Sequence, residues 1–445
     1  MYTYEHDEAV RKLLNRRTPV LPDKMVKKCV RRMHKMADIF HEARDKFGSP
    51  LYFLDVPSLN ERAERFLSVF SEAFGDFTPF FAMKSCNHAY IIKTLAELGF
   101  GIDVSSGAEL ETALSCGAEK IVFSGPAKTI TELELAVRHS DRVTILCDSF
   151  TELNKLTVIG KPIRIGVRLT TENNYLWRKF GIQPDELKQF IAMAEKSCVT
   201  FCGIQFHSSW NLNPENHVEL IRNLGKTIQN LSADHKKQIE FIDIGGGFWP
   251  EEGEWMLADT AEEMKLNKQL LNQPCDPLDH RYLPSTDIGT YADALSAAFN
   301  EHILPYVRCG IFAEPGRFVA HGAIHMLLTV EDIKQPDIAI TDGATNMLGW
   351  ERYEMDYFPV VNVSQISETE HRMMVLGSLC TPHDVWGFAY HGGGMSVGDL
   401  LIIPDQGAYT YSLRQNFIKE VPESVVFSGI NCELVSCTST SQKHG

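Results

Sequence analysis

The chain has 445 residues, carrying 43 Lys and Arg against 58 Asp and Glu for a formal net charge of −15. At roughly 150 residues per domain there is room for two or three domains and a large core. Hydrophobic residues make up 44% and charged residues 23%, which excludes a wholly disordered or fibrous chain. The acidic balance argues against a nucleic-acid or anionic-membrane partner, since either needs clustered Lys and Arg.

In chain order, the opening Met1-Tyr2-Thr3-Tyr4-Glu5-His6-Asp7 is polar and lacks the apolar core of a signal peptide. No run approaches the ~18 apolar residues of a membrane span. The 11 cysteines are odd in number and form no C-x-x-C pair. Neither a disulfide framework nor a zinc ribbon is expected, and a cytoplasmic location is. Helical spacing runs from Lys24 to Phe47 and stops at Gly48-Ser49-Pro50, before a strand-like Leu51-Tyr52-Phe53-Leu54. Apolar, β-prone runs then alternate with helix-length amphipathic segments: Pro79–Met83, Gly101–Val104, Lys120–Phe123, Val143–Cys147, Ile163–Leu169, Thr200–Phe206, Glu240–Ile244 and Arg308–Ala313.

Eight such strands over roughly 250 residues predict an α/β fold, a (β/α)8 TIM-like barrel. After Val319 short strands separated by Gly, Asp and Pro predominate: Ala323–Val330, Ile338–Ile340, Val360–Val363, Met373–Leu376 and Asp399–Ile403. They predict a second, all-β C-terminal domain. The expected boundaries are 57–320 for the barrel and 1–56 plus 321–445 for the β domain, with an N-terminal helical extension and strand packing on a C-terminal sandwich or barrel. The acidic stretch 249–287 is expected to be a long barrel loop or insertion.

Function in a barrel gathers where strands end. Phe80-Phe81-Ala82-Met83 delivers Lys84, and partial desolvation there would expose a nucleophilic amine. Gly203-Ile204-Gln205-Phe206 delivers His207. Phe241-Ile242-Asp243-Ile244 runs into Gly245-Gly246-Gly247-Phe248, whose glycines permit close backbone approach and offer N–H groups to a phosphate. Ile311-Phe312-Ala313 delivers Glu314-Pro315-Gly316-Arg317. An amine, a glycine loop, a guanidinium, a carboxylate and a stacking imidazole together suit pyridoxal 5'-phosphate. Its aldehyde bonds the amine, its phosphate takes the glycine loop and the arginine, and its ring nitrogen pairs with the acid.

These stretches, in this order, resemble the fold type III (alanine racemase-like) pyridoxal-phosphate decarboxylases, which include the diaminopimelate, ornithine and carboxynorspermidine enzymes. The resemblance runs from about Ser49 to Phe417 and includes Gly101-Ile102-Asp103-Val104-Ser105-Ser106-Gly107-Ala108-Glu109, Lys179-Phe180-Gly181-Ile182, Cys380 with Asp384, and Gly407-Ala408-Tyr409. It implies that Lys84 carries the cofactor as a Schiff base, His207 stacks on the ring and Glu314 pairs with the ring nitrogen. Gly246, Gly247, Gly316, Arg317 and Tyr409 would contact the phosphate. Asp103, Glu109 and Arg168 would orient Lys84 and the ring. Cys380 would protonate the substrate carbon, with Asp384 near the substrate. A homodimer with shared active sites and a small-molecule amino-acid substrate are also implied.

Several positions depart from the family. The two positions after Ser208, usually Gly-Ser with the serine on the phosphate, are Ser209 and Trp210, so Ser208 or Ser209 is expected to substitute. Thr381 follows Cys380 where the relatives carry an acid facing a distal amine. The segment Trp350-Glu351-Arg352 is expected to read a distal group, with Thr381 and Tyr409 also near the substrate. Together these favour a substrate larger than a simple basic amino acid. An amino-acid racemase on the same fold and a non-catalytic, decarboxylase-like regulator are the alternatives. His391-Gly392-Gly393-Gly394-Met395-Ser396-Val397-Gly398 overlaps two hydrolase motifs that esterases keep apart, and reads as a turn. His321 and His325 have zincin spacing, but Gly322 replaces the general-base Glu, so no metal is expected.

Overall fold

The computed structural model describes residues 18–171, 175–272, 275–349 and 355–435. The strands, in chain order, begin with β1 (Leu51–Asp55). The barrel series is β2 (Phe77–Ala82), β3 (Gly101–Val104), β4 (Ile121–Phe123), β5 (Val143–Cys147), β6 (Arg164–Arg168), β7 (Thr200–Gln205) and β8 (Phe241–Asp243). A hairpin of β9 (Glu254–Met256) and β10 (Arg281–Leu283) intervenes before β11 (Gly310–Ala313). The strands β11-β2-β3-β4-β5-β6-β7-β8 form a closed barrel, every neighbour parallel.

Closure follows from the sequence cadence, because a parallel pair needs a crossover and each crossover here carries a helix. Ser106, Thr129 and Ser149 cap three of those helices by accepting the N–H of Glu109, Glu132 and Glu152. Phe80, Leu146, Phe241 and Phe312 fill the interior, and the rings of Phe241 and Phe312 stack with centroids 4.4 Å apart. Gly203 is obligatory against this filling, since a Cβ there would collide with the Phe241 ring.

The chain clusters into two compact units. One holds Leu59–Glu251 and Thr286–Ala320; the other holds residues up to Ser58, Glu252–Ser285 and the chain from His321. The expected barrel span 57–320 is therefore interrupted. Most of the stretch read as a barrel loop instead joins the β unit, where Leu257 donates its N–H to Met355 (3.0 Å) and Tyr357 donates to Trp255 (2.9 Å).

In the β unit, β12 (Ile324–Gln335), β13 (Ile338–Thr341), β14 (Val361–Asn362), β15 (Glu370–Leu376), β16 (Val385–His391), β17 (Leu400–Ile403), β18 (Ser424–Phe427) and β19 (Cys432–Val435) combine with β1 into one sheet. Its order is β13-β15-β16-β14-β17-β12-β1-β18-β19, and β12 also pairs with β13, so part of the sheet runs back on itself. β1 lies antiparallel to β12 and parallel to β18, which explains why all five of its residues are buried.

The long N-terminal helix expected over residues 24–47 is two helices, Asp23–Lys35 and Ala37–Phe47, broken at Met36. Val30, Met33 and Phe40 enter the core with Phe53, Leu327 and Ile402. Arg32 grips the half-buried Asp405 at 2.6 Å. Burial alone would raise the Asp405 carboxyl, but Arg32 and His321 bring it well below the usual carboxylate range.

Beneath the rim of the barrel, Lys128 and Glu152 are both 1% exposed and meet at 3.0 Å. The Glu152 carboxylate also accepts the N–H groups of Lys128 and Asp148, while Lys128 Nζ donates to the Leu146 carbonyl. Glu152→Gln would leave a buried ammonium without its counter-charge. It is expected to destabilise the chain by about 3–5 kcal/mol, read as a lowered urea midpoint. A midpoint within error of the unmodified protein contradicts this.

Candidate active site

β2 ends at Ala82 and passes into a single tight turn, Met83–Ser85, held by Ser85 Oγ donating to the Ala82 carbonyl at 2.7 Å. Lys84 thus leaves the barrel end with its side chain 36% exposed and Nζ 3.2 Å from the Asp103 carboxylate. Asp103, on β3, is fully buried and also accepts from Ser124 Oγ. Burial raises its pKa, as does the nearby Glu314, while Lys84 and Ser124 oppose the shift. Glu109 sits one turn into the helix after β3 and accepts the Ser105 N–H at 2.6 Å. It therefore fixes the strand-to-helix turn beside Asp103. Burial raises its pKa, the Ser105 bond counters, and Lys84 lowers it further.

Three adjacent strands, β7, β8 and β11, supply the rest. Past the end of β7, His207 accepts the Gly246 N–H on Nδ1 at 3.1 Å, which places the proton of the neutral ring on Nε2. Glu314 Oε2 lies 3.4 Å from the same Nδ1. That contact is not an ion pair, because burial, and then Lys84 and Arg168, hold the His207 pKa well below its ordinary value. Glu314 is 1% exposed and accepts from Gln205 Nε2 at 3.2 Å.

Gln205 and Asp243 are residues that the sequence reading passed over. Asp243 is fully buried at the end of β8, and its Oδ1 accepts the Gly245 N–H at 2.9 Å. Among the described residues no donor reaches its Oδ2. Burial, followed by the charge of Glu314 and a hydrogen bond to it, raises the Asp243 pKa strongly. The Asp243 carboxyl is thus pushed toward its neutral form beside Glu314. An acid ending a strand just before three glycines was the available signal.

Arg168 ends β6, is 8% exposed and stacks its guanidinium 4.4 Å from the Phe180 ring. Burial lowers its pKa and the surrounding carboxylates, Glu314 first, oppose that. Gly181 follows at φ +74, where a Cβ would lie 2.7 Å from the backbone carbon of Leu169. This explains the Lys179-Phe180-Gly181 pattern: the aromatic holds the arginine and the glycine allows the chain to fold back on β6.

The glycine loop is bare by necessity. Gly247 lies at φ +87, and a Cβ on Gly246 would collide with the Glu314 carbonyl oxygen. Gly316 approaches Ser85 so closely that a Cβ would sit 2.9 Å from its side chain. Arg317 opens the next short helix, its guanidinium 4.4 Å from the Trp249 ring. Ser208 is buried against the Asn211 side chain (3.0 Å), whereas Ser209 is half-buried beside Gly247. Ser209 is therefore the hydroxyl better placed to serve the loop.

The β unit carries the remaining candidates. Cys380 is exposed in the connection from β15 to β16, followed by Thr381. Asp384, expected near the substrate, has its carboxylate turned inward. It is 2% exposed, and its carboxylate accepts from the Leu379 N–H (2.7 Å), the Thr345 N–H (2.8 Å) and Thr345 Oγ1 (2.9 Å). Its work is to set the conformation of the loop bearing Cys380. Tyr409 is half-buried at φ +60. Trp350, Glu351 and Arg352 lie outside the described residues.

A family model described as the pyridoxal binding domain of pyridoxal-dependent decarboxylases matches residues 58–321. The chain belongs to the pyridoxal-dependent decarboxylase family. It is 26% identical over 396 residues to the diaminopimelate decarboxylase of Methanothermobacter thermautotrophicus, covering 84% of this chain and 86% of that one. It is 25% identical over 388 residues to the L-glutamyl-[BtrI acyl-carrier protein] decarboxylase of Niallia circulans, covering 82% and 85%. The crystal structure of the M. jannaschii diaminopimelate decarboxylase in complex with L-lysine superposes with a TM-score of 0.73 at 23% identity, over 89% of this chain and 91% of that one. The cofactor of the family is pyridoxal phosphate. The amine beside a buried carboxylate, the glycine cradle that a Cβ would fill and the adjoining guanidinium fit it.

A histidine held neutral in the fold takes up its proton first in the unfolded chain. His207 therefore costs stability as pH falls below about 6.5, progressively down to its folded pKa. Its imidazole 15N shifts are expected to show the neutral Nε2–H form unchanged from about pH 8 to 6, and titration of His207 near 6.5 contradicts this.

Proposed function

We propose that this decarboxylase removes the α-carboxylate of an amino acid or diamino-acid-derived substrate at the rim of its barrel. The observation that carries the reading is the convergence of Lys84, Asp103, His207, Glu314 and the glycine loop on one end of one barrel. When bound, pyridoxal phosphate supplies a ring that accepts the electron pair left behind as CO2 departs.

The chain's own residues account for the rest. Lys84 Nζ would hold the cofactor through its aldehyde group, with Asp103 beside it to hold or release the amine's proton. The Glu314 carboxyl group would pair with the ring nitrogen, supported by the Gln205 amide. The His207 ring would cover a face of the cofactor without adding a positive charge. Gly246, Gly247, Ser209, Gly316, Arg317 and Tyr409 bind the phosphate. Cys380 or Lys84 returns a proton to the substrate carbon. Asp103, Glu109 and Arg168 would orient Lys84 and the ring.

A cytoplasmic homodimer with shared active sites belongs to the same proposal, supported by an exposed Cys380 on a loop that buried Asp384 fixes from within. Thr381 cannot neutralise a distal ammonium. This supports a substrate larger than lysine or ornithine, built on a diamino acid as in polyamine or siderophore assembly. Trp350, Glu351, Arg352 and Thr381 would then read its distal group. The acyl-carrier-protein substrate in the name of the Niallia circulans relative also supports a conjugated substrate.

The test is CO2 release from α-carboxyl-labelled substrates. Conjugated diamino acids are expected to turn over faster than free lysine, ornithine or diaminopimelate, and the opposite ranking overturns the substrate class. Lys84→Ala is expected to abolish release, and Glu314→Gln to lower it about 10²-fold. Loss of optical rotation without CO2 would indicate a racemase, and neither reaction a regulator.

A further inference from the structure

The loops leaving β7 and β8 are stitched together by one side chain. Asn211 donates its backbone N–H to the Gly247 carbonyl at 3.1 Å and its Nδ2 to the Gly246 carbonyl at 3.2 Å. Asn211 and Phe248 form a parallel bridge. The residue before Asn211 and the residue after Phe248 are both tryptophans.

The rings of Trp210 and Trp249 lie 6.0 Å apart, tilted by 36°, within the range of a favourable aromatic pair. Trp249 is 7% exposed and carries the Arg317 guanidinium at 4.4 Å. Trp210 is 52% exposed and sits at φ +56. Core packing does not explain it, since a bulky residue holds an unfavourable backbone conformation while half its surface stays in water. Its ring lies against that of Trp249.

A guanidinium stacked on an indole is held through its face, while its N–H donors lie in its plane. Stacking therefore fixes the plane in which Arg317 donates. The guanidinium, the glycine loop and Ser209 all belong to the ends of these three neighbouring strands.

We propose that Trp249, buttressed by Trp210, is a positioning residue that aims the Arg317 guanidinium at the phosphate of the cofactor. This rests on the reading of Arg317 as a phosphate ligand, and the two can be separated. The probes are pyridoxal phosphate and pyridoxal, which share the aldehyde and ring and differ in the phosphate. Dissociation constants are measured by equilibrium dialysis on the full-length chain stripped of cofactor.

Trp249→Leu is expected to weaken pyridoxal phosphate about tenfold and leave pyridoxal unchanged, while Trp249→Phe, which keeps a π-face, retains most of the affinity. Trp210→Ala, at an exposed position, should weaken pyridoxal phosphate about threefold and carries the test should Trp249→Leu not fold. Arg317→Ala should remove the preference for the phosphorylated probe. If Arg317→Ala removes it and neither tryptophan variant reduces it, the proposal is overturned and the reading of Arg317 stands. If Arg317→Ala leaves the preference intact, the reading of Arg317 itself fails. Equal weakening of both probes by Trp249→Leu makes Trp249 a packing residue only, and also overturns the proposal.

Discussion

Charge withdrawn from water must be balanced where it sits, and this constraint governs the rim of the barrel. Asp103, Asp243 and Glu314 are each 0–1% exposed. Three bare carboxylates at that depth would be far too costly. Lys84 answers Asp103 across 3.2 Å, Arg168 is buried among the same groups, and the Asp243 carboxyl is pushed toward its neutral form. Burial, and then Lys84 and Arg168, hold the His207 pKa well below its ordinary value. What remains is one lysine amine partly open to solvent and the buried carboxyl group of Glu314.

The barrel makes this balance possible. Closing eight parallel strands brings side chains far apart in sequence to one rim, and three adjacent strands deliver the imidazole, the glycine loop and the Glu314–Arg317 turn. Small residues are needed where backbones meet: Gly246 lies against the Glu314 carbonyl, and Gly181 folds the chain back on β6. The aromatic residues Phe180 and Trp249 each hold one arginine by its face, Arg168 and Arg317.

The fold was legible in the sequence where periodicity was strong. Each of the eight expected barrel strands lies within a residue or two of its observed limits, because a buried parallel strand is a short apolar run flanked by helices. The β unit was less legible. Val385–His391 was not recognised because Gly387 interrupts its pattern, and Ser424–Phe427 because its apolar core is only three residues long. The segment 252–285 looked like a loop because its two short strands pair with each other and not with the barrel. At the site, residues with reactive groups at strand ends were readable, whereas Gln205, whose amide donates to Glu314, carries no signature of its own, and the signal for Asp243 was only its place before three glycines. The inward turn of Asp384, drawn by three hydrogen bonds, was not legible, because sequence cannot tell which way a loop carboxylate turns.

The central claim is that Lys84 is the amine that bears the cofactor. Borohydride reduction of the holoenzyme followed by peptide mapping tests it most directly. The account predicts a stable pyridoxyl adduct on the peptide containing Phe81-Ala82-Met83-Lys84 and on no other. An adduct on a different lysine, or none in a protein that retains the cofactor, would contradict it.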